Sequence, residues 1–171
     1  SAGNGAFIQT IKQNFQNYRF YDLYPELDEI EQKDYLTVNY QEFIHPKIHI
    51  IGNPPFGRQS SLAIKFIKFS CKFCDSISFI LPKSFKKQSL HDKIPLNFHL
   101  TNQIDLPKNS FLLNGLEHDV PCIFQIWIKK EEKRIKSIKQ KPKNFAFTKK
   151  NESHHISFRR VGIYAGNISK E

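Results

Sequence analysis

The sequence predicts an α/β domain built on an open, mostly parallel, twisted sheet with helices on its faces. Strand-like and helix-like apolar segments alternate through the first half of the chain, and strands crowd the second half. Prolines or glycines follow several of the predicted strands. With 171 residues and 39% hydrophobic side chains, the chain is long enough to bury one core.

The first half of the chain supplies helices and strands in alternation. Apolar residues at helical spacing predict a helix near Phe7–Phe15. The stretch YRFYDLYPEL predicts a short strand that ends near Asp22, because Pro25 interrupts it. KIHIIG predicts an apolar strand that ends at Gly52, and residues 58–73 predict a helix with a wide apolar face.

Three further strands are predicted in the second half, from SISFILP, LNFHLTNQIDLP and VPCIFQIWIKK. A Lys-rich stretch at residues 129–143 is the best candidate for a linker. We therefore divide the chain into a domain at 1–128, a basic connector at 129–143, and a β extension or the start of a further domain at 144–171.

The charge and the cysteine content of the chain indicate which partners and which cellular environment to expect. The net charge of +10 indicates either general surface charge or a polyanionic partner such as nucleic acid. Cys71, Cys74 and Cys122 are too few for a disulfide scaffold, so we expect a reducing, cytoplasmic location. We expect no membrane span, and no metal at Cys71 and Cys74, which lack a second pair and should pack as inert thiols in a helix.

Residues 49–57, HIIGNPPFG, hold the most informative motif. Neither proline can donate an N–H to a central strand, so Asn53-Pro54-Pro55-Phe56 must be a stiff loop beyond Gly52. In α/β proteins ligands bind at the carboxyl ends of the strands. This loop is therefore the first candidate for a functional site.

Other candidate site residues precede that loop. Ser1, Ala2, Gly3 and Gly5 form a glycine turn before a predicted helix, where free N–H groups can meet a ligand. Asp22 ends the next strand and can accept hydrogen bonds from a ribose diol. A carboxylate at Asp34, followed by Tyr35, could accept a hydrogen bond from an exocyclic amine.

In this order and spacing, the motifs resemble the S-adenosylmethionine-dependent amino-methyltransferases, and within them the DNA adenine-N6 type of restriction–modification or viral systems. The resemblance covers roughly residues 1–128 and implies a Rossmann-like methyltransferase fold. It implies S-adenosylmethionine as cofactor, DNA as partner, and an NPPF catalytic loop. The implied catalytic residues are Asn53, Pro54, Pro55 and Phe56, and the implied cofactor-binding residues are Ser1, Ala2, Gly3, Gly5, Asp22, Asp34 and Tyr35.

The chain departs from that family at its beginning. The family has a central strand before the glycine turn, and residue 1 already lies within the turn. We therefore expect the first strand to be missing from this chain and cofactor binding to be weakened. Neighbouring strands would keep unpaired edges, through which homo-oligomers could form.

Alternatives remain open for the substrate and for activity itself. The same loop serves enzymes that methylate adenine in RNA or the side-chain amide of glutamine in proteins. A chain of this fold could also bind nucleic acid without catalysis. Arg159 and Arg160, on a predicted short strand near Gly162, could contact nucleic acid in either case.

Overall fold

The computed structural model describes residues 1–43, 46–113, 115–138, 140–149 and 151–170. They form two compact units, Ser1–Ser137 and Ile138–Glu171. The helices are α1 (Ile8–Asn14), α2 (Ser61–Ser70) and α3 (Gln88–His91). The strands are β1 (Tyr21–Asp22), β2 (Glu31–Gln32), β3 (His49–Gly52), β4 (Ser76–Pro82), β5 (Phe98–Asp105), β6 (Phe111–Leu113), β7 (Leu116–His118), β8 (Cys122–Lys129), β9 (Ile156–Phe158) and β10 (Ile168–Lys170).

The central sheet has four strands in the order β3-β4-β8-β5. β3 and β4 are parallel, and α2 supplies the crossover that a parallel pair requires. β8 runs antiparallel to both β4 and β5. The sheet is therefore mixed, which corrects the prediction of a mostly parallel sheet. The β6–β7 hairpin lies in the connection from β5 to β8. The direction of a strand depends on its pairing with distant segments, and local apolar patterns do not encode that pairing.

The core of the first unit lies where α2 meets the central sheet. α2 buries Ala63, Phe66 and Ile67, and β4 buries every second residue from Ile77 onward. This alternation places one face of β4 in the core. α2 is the longest helix of the described ranges, at 10 residues, and none of these helices has the length and apolar character to cross a bilayer.

A second, two-stranded sheet pairs β1 with β2 in parallel, with Tyr21 opposite Glu31. No strand pair among the described residues joins it to the central sheet, in which β3 is an outer strand. Both β1 and β3 therefore keep one edge without a strand partner in the described part of the chain. The expectation of a missing first strand stays a prediction.

Arg134 fixes the beginning of the predicted connector to the first unit. Its guanidinium donates to the carbonyl oxygens of His91, Ile94 and Phe98, and lies 5.1 Å from the centre of the Trp127 ring. These contacts belong to one compact unit that reaches Ser137. The domain boundary at residue 128 remains a prediction.

The second unit contains the antiparallel β9–β10 hairpin, with Ile168 opposite Phe158. The Gly166 N–H donates to the Arg159 carbonyl oxygen at 2.8 Å, and the Arg159 guanidinium lies 5.6 Å from the centre of the Tyr164 ring. The apolar and aromatic side chains of this hairpin are largely exposed. A basic and aromatic surface is thus held on a small β element.

Candidate active site

The Asn53-Pro54-Pro55-Phe56 loop begins directly after β3, as the sequence predicted. Pro54 is fully buried and Pro55 is exposed, while Asn53 and Phe56 are half-buried. The Phe56 carbonyl oxygen accepts the N–H groups of Leu62 and Ala63 at 3.2 and 3.3 Å. The Phe56 carbonyl oxygen anchors the end of the loop to α2 and the burial of Pro54 fixes its middle, while Asn53 and Phe56 are each partly exposed to solvent.

The segment after the loop holds strained backbone that sequence reasoning missed. Gln59 and Ser60 have φ values of 52° and 61°, in the left-handed region that side chains disfavour. Gly57 has φ +66°, and a Cβ there would stand 2.9 Å from the Leu62 Cβ. Strain of this kind clusters at functional sites. Gly57 was the only available signal in the sequence, because neither Gln nor Ser favours this conformation.

Ser60 and Ser84 connect the ends of two neighbouring strands. Ser60 is buried at the start of α2, and Ser84 follows β4. Their hydroxyl oxygens lie 3.5 Å apart. The segments that leave the carboxyl ends of β3 and β4 therefore meet beside the NPPF loop. Neither serine belongs to a motif in the sequence.

The glycine turn and Asp22 are in direct contact. The Gly3 N–H donates to Asp22 Oδ2 at 2.8 Å, and the Tyr24 N–H donates to Oδ1 at 3.0 Å. Each carboxylate oxygen thus has one backbone donor and keeps capacity for another. The structure brings together these two predicted features, which are far apart in sequence.

The environment of Asp22 favours its charged form. Partial burial acts to raise the pKa of Asp22, but backbone N–H groups, chiefly those of Tyr24 and Gly3, outweigh it and hold the pKa below the ordinary value. The carboxylate is therefore charged at neutral pH. A charged acceptor is suited to bind hydroxyl donors.

Ser1 links the glycine turn to the NPPF loop. The Ala2 N–H donates to the carbonyl oxygen of Tyr21, in β1, at 3.0 Å. On its other side, the Ser1 carbonyl oxygen lies 3.4 Å from where a Cβ on Gly52 would stand. The carboxyl ends of β1 and β3 thus meet through Ser1 and Ala2.

Asp34 and Tyr35 have structural partners of their own. The Asp34 side chain accepts the Leu36 N–H at 2.9 Å and caps a short 3-10 helix. The Tyr35 hydroxyl lies 2.6 Å from Ser70 Oγ, which itself donates to the Phe66 carbonyl oxygen. Tyr35 must therefore be the donor to Ser70. Burial raises the pKa of Tyr35, so its hydroxyl is protonated at neutral pH.

A cavity of about 850 Å³ runs along the free edge of β3, and we call it the edge slot. It is bounded by residues 46–52, by residues 15–21, by one face of α1 and by Ser1 and Ala2. Of the predicted site residues, Ser1, Ala2, Tyr35 and Pro54 line it. The other seven, Gly3, Gly5, Asp22, Asp34, Asn53, Pro55 and Phe56, do not.

The cysteines have the character of packing residues. α2 ends at Ser70, so Cys71 and Cys74 lie just beyond the helix, which corrects their predicted helical position. The chain tightens there into a 3-10 turn, in which the Phe73 N–H donates to the Ser70 carbonyl oxygen. Burial raises the pKa of Cys74 to about 12 and that of Cys71 further. The described residues include no cluster of three or more His, Cys, Asp or Glu side chains suited to a metal.

The fold and the strand-end loops define an α/β domain of the methyltransferase type. The crystal structure of the 23S rRNA methyltransferase ErmE is similar to this chain, with a TM-score of 0.54 at 12% sequence identity. The match covers 80% of this chain and 62% of that one, so this chain spans less than two thirds of its length.

The family follows from the sequence itself. Residues 8–144 match the family model of the EDM2 methyltransferase-like domain. The chain belongs to this family. None of the curated proteins matches the sequence at a significant level.

Proposed function

We propose that this protein transfers a methyl group from S-adenosylmethionine to the exocyclic N6 amine of adenine in DNA. The observation that carries the proposal is the position of the NPPF loop. It leaves the carboxyl end of a parallel strand, beside a glycine turn that is hydrogen-bonded to Asp22. Membership of a methyltransferase-like family supports the class of reaction.

The cofactor would lie against the glycine turn and Asp22. The residues present fit it, because Asp22 is charged, half-buried and able to accept from a ribose diol in addition to its backbone donors. Asp34 would accept from the adenine amine of the cofactor, beside Tyr35. S-adenosylmethionine supplies an electrophilic methyl group when bound.

The NPPF loop would prepare the amine that is methylated. This amine is a poor nucleophile because its lone pair is delocalised into the adenine ring. The Asn53 side-chain oxygen and the Pro54 carbonyl oxygen would each accept one of its N–H groups and so direct the lone pair at the methyl group. The burial of Pro54 holds the loop in place for this role.

Phe56 would hold the substrate base by stacking. Phe56 is half-buried and belongs to a loop that α2 anchors, so the residue keeps exposed surface for a flat ligand. Stacking of a base on an aromatic side chain contributes about 1–3 kcal/mol. An adenine within duplex DNA would first have to be extruded, at a cost of a few kcal/mol.

RNA is the second candidate substrate. ErmE is a 23S rRNA methyltransferase, and its fold is similar to this one. Methylation of a glutamine side chain in a protein and nucleic-acid binding without catalysis are further outcomes that the test distinguishes. Activity of residues 1–171 is expected to be weak, because the edge slot lies open next to the proposed cofactor site.

The test is methyl transfer from labelled S-adenosylmethionine onto separate pools of DNA, RNA and protein. It uses the 171-residue chain. Label on adenine N6 of DNA is the expected result. Label on RNA or glutamine alone would replace DNA as the substrate, and no label on any pool would refute catalysis.

A matched pair of variants tests the role of the loop. Asn53→Ala should lower the transfer rate by about 100-fold or more, since it removes one of two acceptors aimed at the amine. Asn102→Ala changes the same residue type at an exposed position on β5 and should leave the rate unchanged. Equal rates for the two variants would contradict the proposed loop chemistry.

Residues 138–171 are proposed as the nucleic-acid contact. Arg159 and Arg160 lie next to exposed Phe158 and Tyr164, which combines phosphate-binding and base-stacking groups. Replacing both arginines with alanine should weaken DNA binding and reduce the salt dependence by about one unit of slope per lost contact. Lys68→Ala, an exposed change on α2, is the control and should leave the slope unchanged.

A further inference from the structure

The carboxyl edge of the central sheet carries exposed basic residues that have no role in the chemistry proposed above. β4 and β5 both run antiparallel to β8, so they end at the same edge, opposite Cys122 and Ile123. The segments that follow β3 and β4 meet at this edge through Ser60 and Ser84. The exposed basic residues of these two segments, which we call the basic rim, are Arg58, Lys83, Lys86 and Lys87.

The backbone that carries the basic rim is fixed by burial on both sides. Phe85, which lies between two of the rim lysines in sequence, is fully buried. Its carbonyl oxygen accepts from Gln125 Nε2 at 3.3 Å and lies 2.6 Å from His91 Nε2. On the β3 side, Ser60 is buried two residues after Arg58. The rim cations are therefore held on one surface, where they can act on the same ligand.

The basic rim has little compensating negative charge. Residues 53–60 and 83–87 contain no Asp or Glu. Asp105, at the end of β5, reaches the rim: Lys86 Nζ donates to its Oδ2 at 2.7 Å, and Lys83 Nζ lies 3.9 Å from its Oδ1. Within the described part of the chain, the rim has no other ion pair. One carboxylate thus faces two ammonium groups, and the rim keeps a net positive charge.

Asp105 is an internal counterion that another anion can displace. The hydrogen bond from Lys86 holds the pKa of Asp105 below its ordinary value, so the carboxylate is charged at neutral pH. The side chains of Asp105, Lys83 and Lys86 are between 37% and 56% exposed. Exposed ion pairs contribute little to stability, because water and salt screen them. A second anion can therefore draw both ammonium groups away from Asp105 at little cost.

The phosphate backbone of a nucleic acid fits this surface better than an acidic protein does. Lysine ammonium groups bind phosphate oxygens as point charges. Phe56 lies two residues before Arg58 and keeps exposed surface, so a base-stacking group and phosphate-binding cations share one edge. An acidic peptide would pair with the cations but would offer no flat group to the aromatic residue.

We propose that the basic rim binds the phosphate backbone of DNA beside the NPPF loop, and that Asp105 competes with phosphate for Lys83 and Lys86. The inference rests on the proposed function for the nature of the partner, but it concerns binding and not transfer. It is separate from the contact proposed for residues 138–171, because the rim belongs to the first unit.

The first experiment locates the contact by lysine footprinting. The 171-residue chain is acetylated with limiting acetic anhydride, alone and with a short DNA duplex, an RNA duplex of the same length or polyglutamate of equal charge. Mass spectrometry then gives the extent of acetylation at each lysine. DNA should lower the acetylation of Lys83, Lys86 and Lys87 by about threefold or more, because bound phosphate shields them. Lys68 and Lys72, exposed near the other end of α2, should not change.

Three outcomes of the footprint would overturn the proposal. Equal acetylation of the rim lysines with and without DNA would show that the rim does not bind it. Equal protection by polyglutamate would mean that the rim takes any polyanion. Protection by the RNA duplex alone would exclude DNA as the partner.

The second experiment measures DNA affinity against salt for charge variants. Lys83→Ala with Lys86→Ala should weaken binding by about tenfold at low salt and reduce the salt slope by about two. Asp105→Asn should act in the opposite direction and strengthen binding by about threefold, since it removes the competing carboxylate. Lys68→Ala with Lys72→Ala removes the same charge elsewhere and is the control. Weaker binding by Asp105→Asn, or equal effects of the two lysine pairs, would contradict the proposal.

These results are independent of catalysis. Protection of the rim lysines by DNA without methyl transfer would refute the proposed function and leave the contact standing. Methyl transfer to DNA with unprotected rim lysines would support the proposed function and overturn this inference.

Discussion

β3 and β4 are neighbours in one sheet, and the structure supports them very differently. β4 is paired along both edges, and Ile77, Phe79 and Leu81 are almost completely buried. β3 is paired along one edge, and only Gly52 among its four residues is buried. The stability of the domain therefore lies in the β4–β8 half, while the candidate site begins at the less supported strand.

The largest effect is expected in the supported half, at Trp127. Trp127 on β8 is 1% exposed, and its indole N–H donates to Gln125 Oε1 at 3.0 Å. Trp127→Ala should lower the free energy of unfolding by about 3–5 kcal/mol, measured by urea denaturation. Ile128→Ala changes the next residue, which is 40% exposed, and should cost less than about 1 kcal/mol. Similar losses would mean that β8 does not carry the core.

The comparison of the two strands is tested most directly by isoleucines in matched positions. Ile77 on β4 and Ile50 on β3 lie opposite each other in the parallel pair. Ile77→Ala should cost about 2–5 kcal/mol of unfolding free energy, because the side chain is fully buried. Ile50→Ala, which borders the edge slot, should cost less than about 1.5 kcal/mol. A larger loss at Ile50 would show that the slot is already filled.

A smaller effect is expected at the segment that follows the NPPF loop. Gly57 and Gly115 have φ values of +66° and +77°, but only Gly57 has a neighbour within 4 Å of an added Cβ. Gly115→Ala should therefore cost about 1–2 kcal/mol from backbone strain alone. Gly57→Ala should cost more than that, because it also displaces Leu62. Equal losses in thermal unfolding would indicate that α2 moves aside without cost.

The strands of the central sheet also show how much of the fold could be predicted from sequence. SISFILP is a largely apolar segment that ends at a proline, so its predicted bounds match those of β4, Ser76–Pro82. The end of β3 at Gly52 was equally clear from the two prolines. The antiparallel position of β8 between β4 and β5 could not be predicted, because it depends on pairing between distant segments. The β6–β7 hairpin was missed, although an Asn-Gly pair at 114–115 is a known hairpin signal.

For the candidate site, sequence reasoning proposed residues for chemical roles, which stay predictions, and missed residues whose backbone is strained beside the loop. The contact between Gly3 and Asp22 follows from their places before a helix and after a strand. The left-handed conformations of Gln59 and Ser60 contradict the local preference of those residues, so no pattern could reveal them. The Ser60–Ser84 contact likewise depends on how two strand ends meet.

The smallest effect on the free energy of unfolding is expected at Asp22, and it depends on pH. The folded protein holds the pKa of Asp22 below its ordinary value despite partial burial, mainly through the N–H groups of Tyr24 and Gly3. The carboxylate therefore stabilises the fold above the unfolded pKa, near 4, and this contribution is lost as the pH falls through the folded pKa. Asp22→Asn should lower the free energy of unfolding at pH 7, and its difference from the unsubstituted chain should narrow in acid. Asp28→Asn, at an exposed position, should change the free energy of unfolding at pH 7 by no more than about 0.5 kcal/mol. If Asp22→Asn left the free energy of unfolding at pH 7 unchanged, the hydrogen bond between Gly3 and Asp22 would contribute nothing to stability. The region around β1 would then be less stable than its hydrogen bonds indicate.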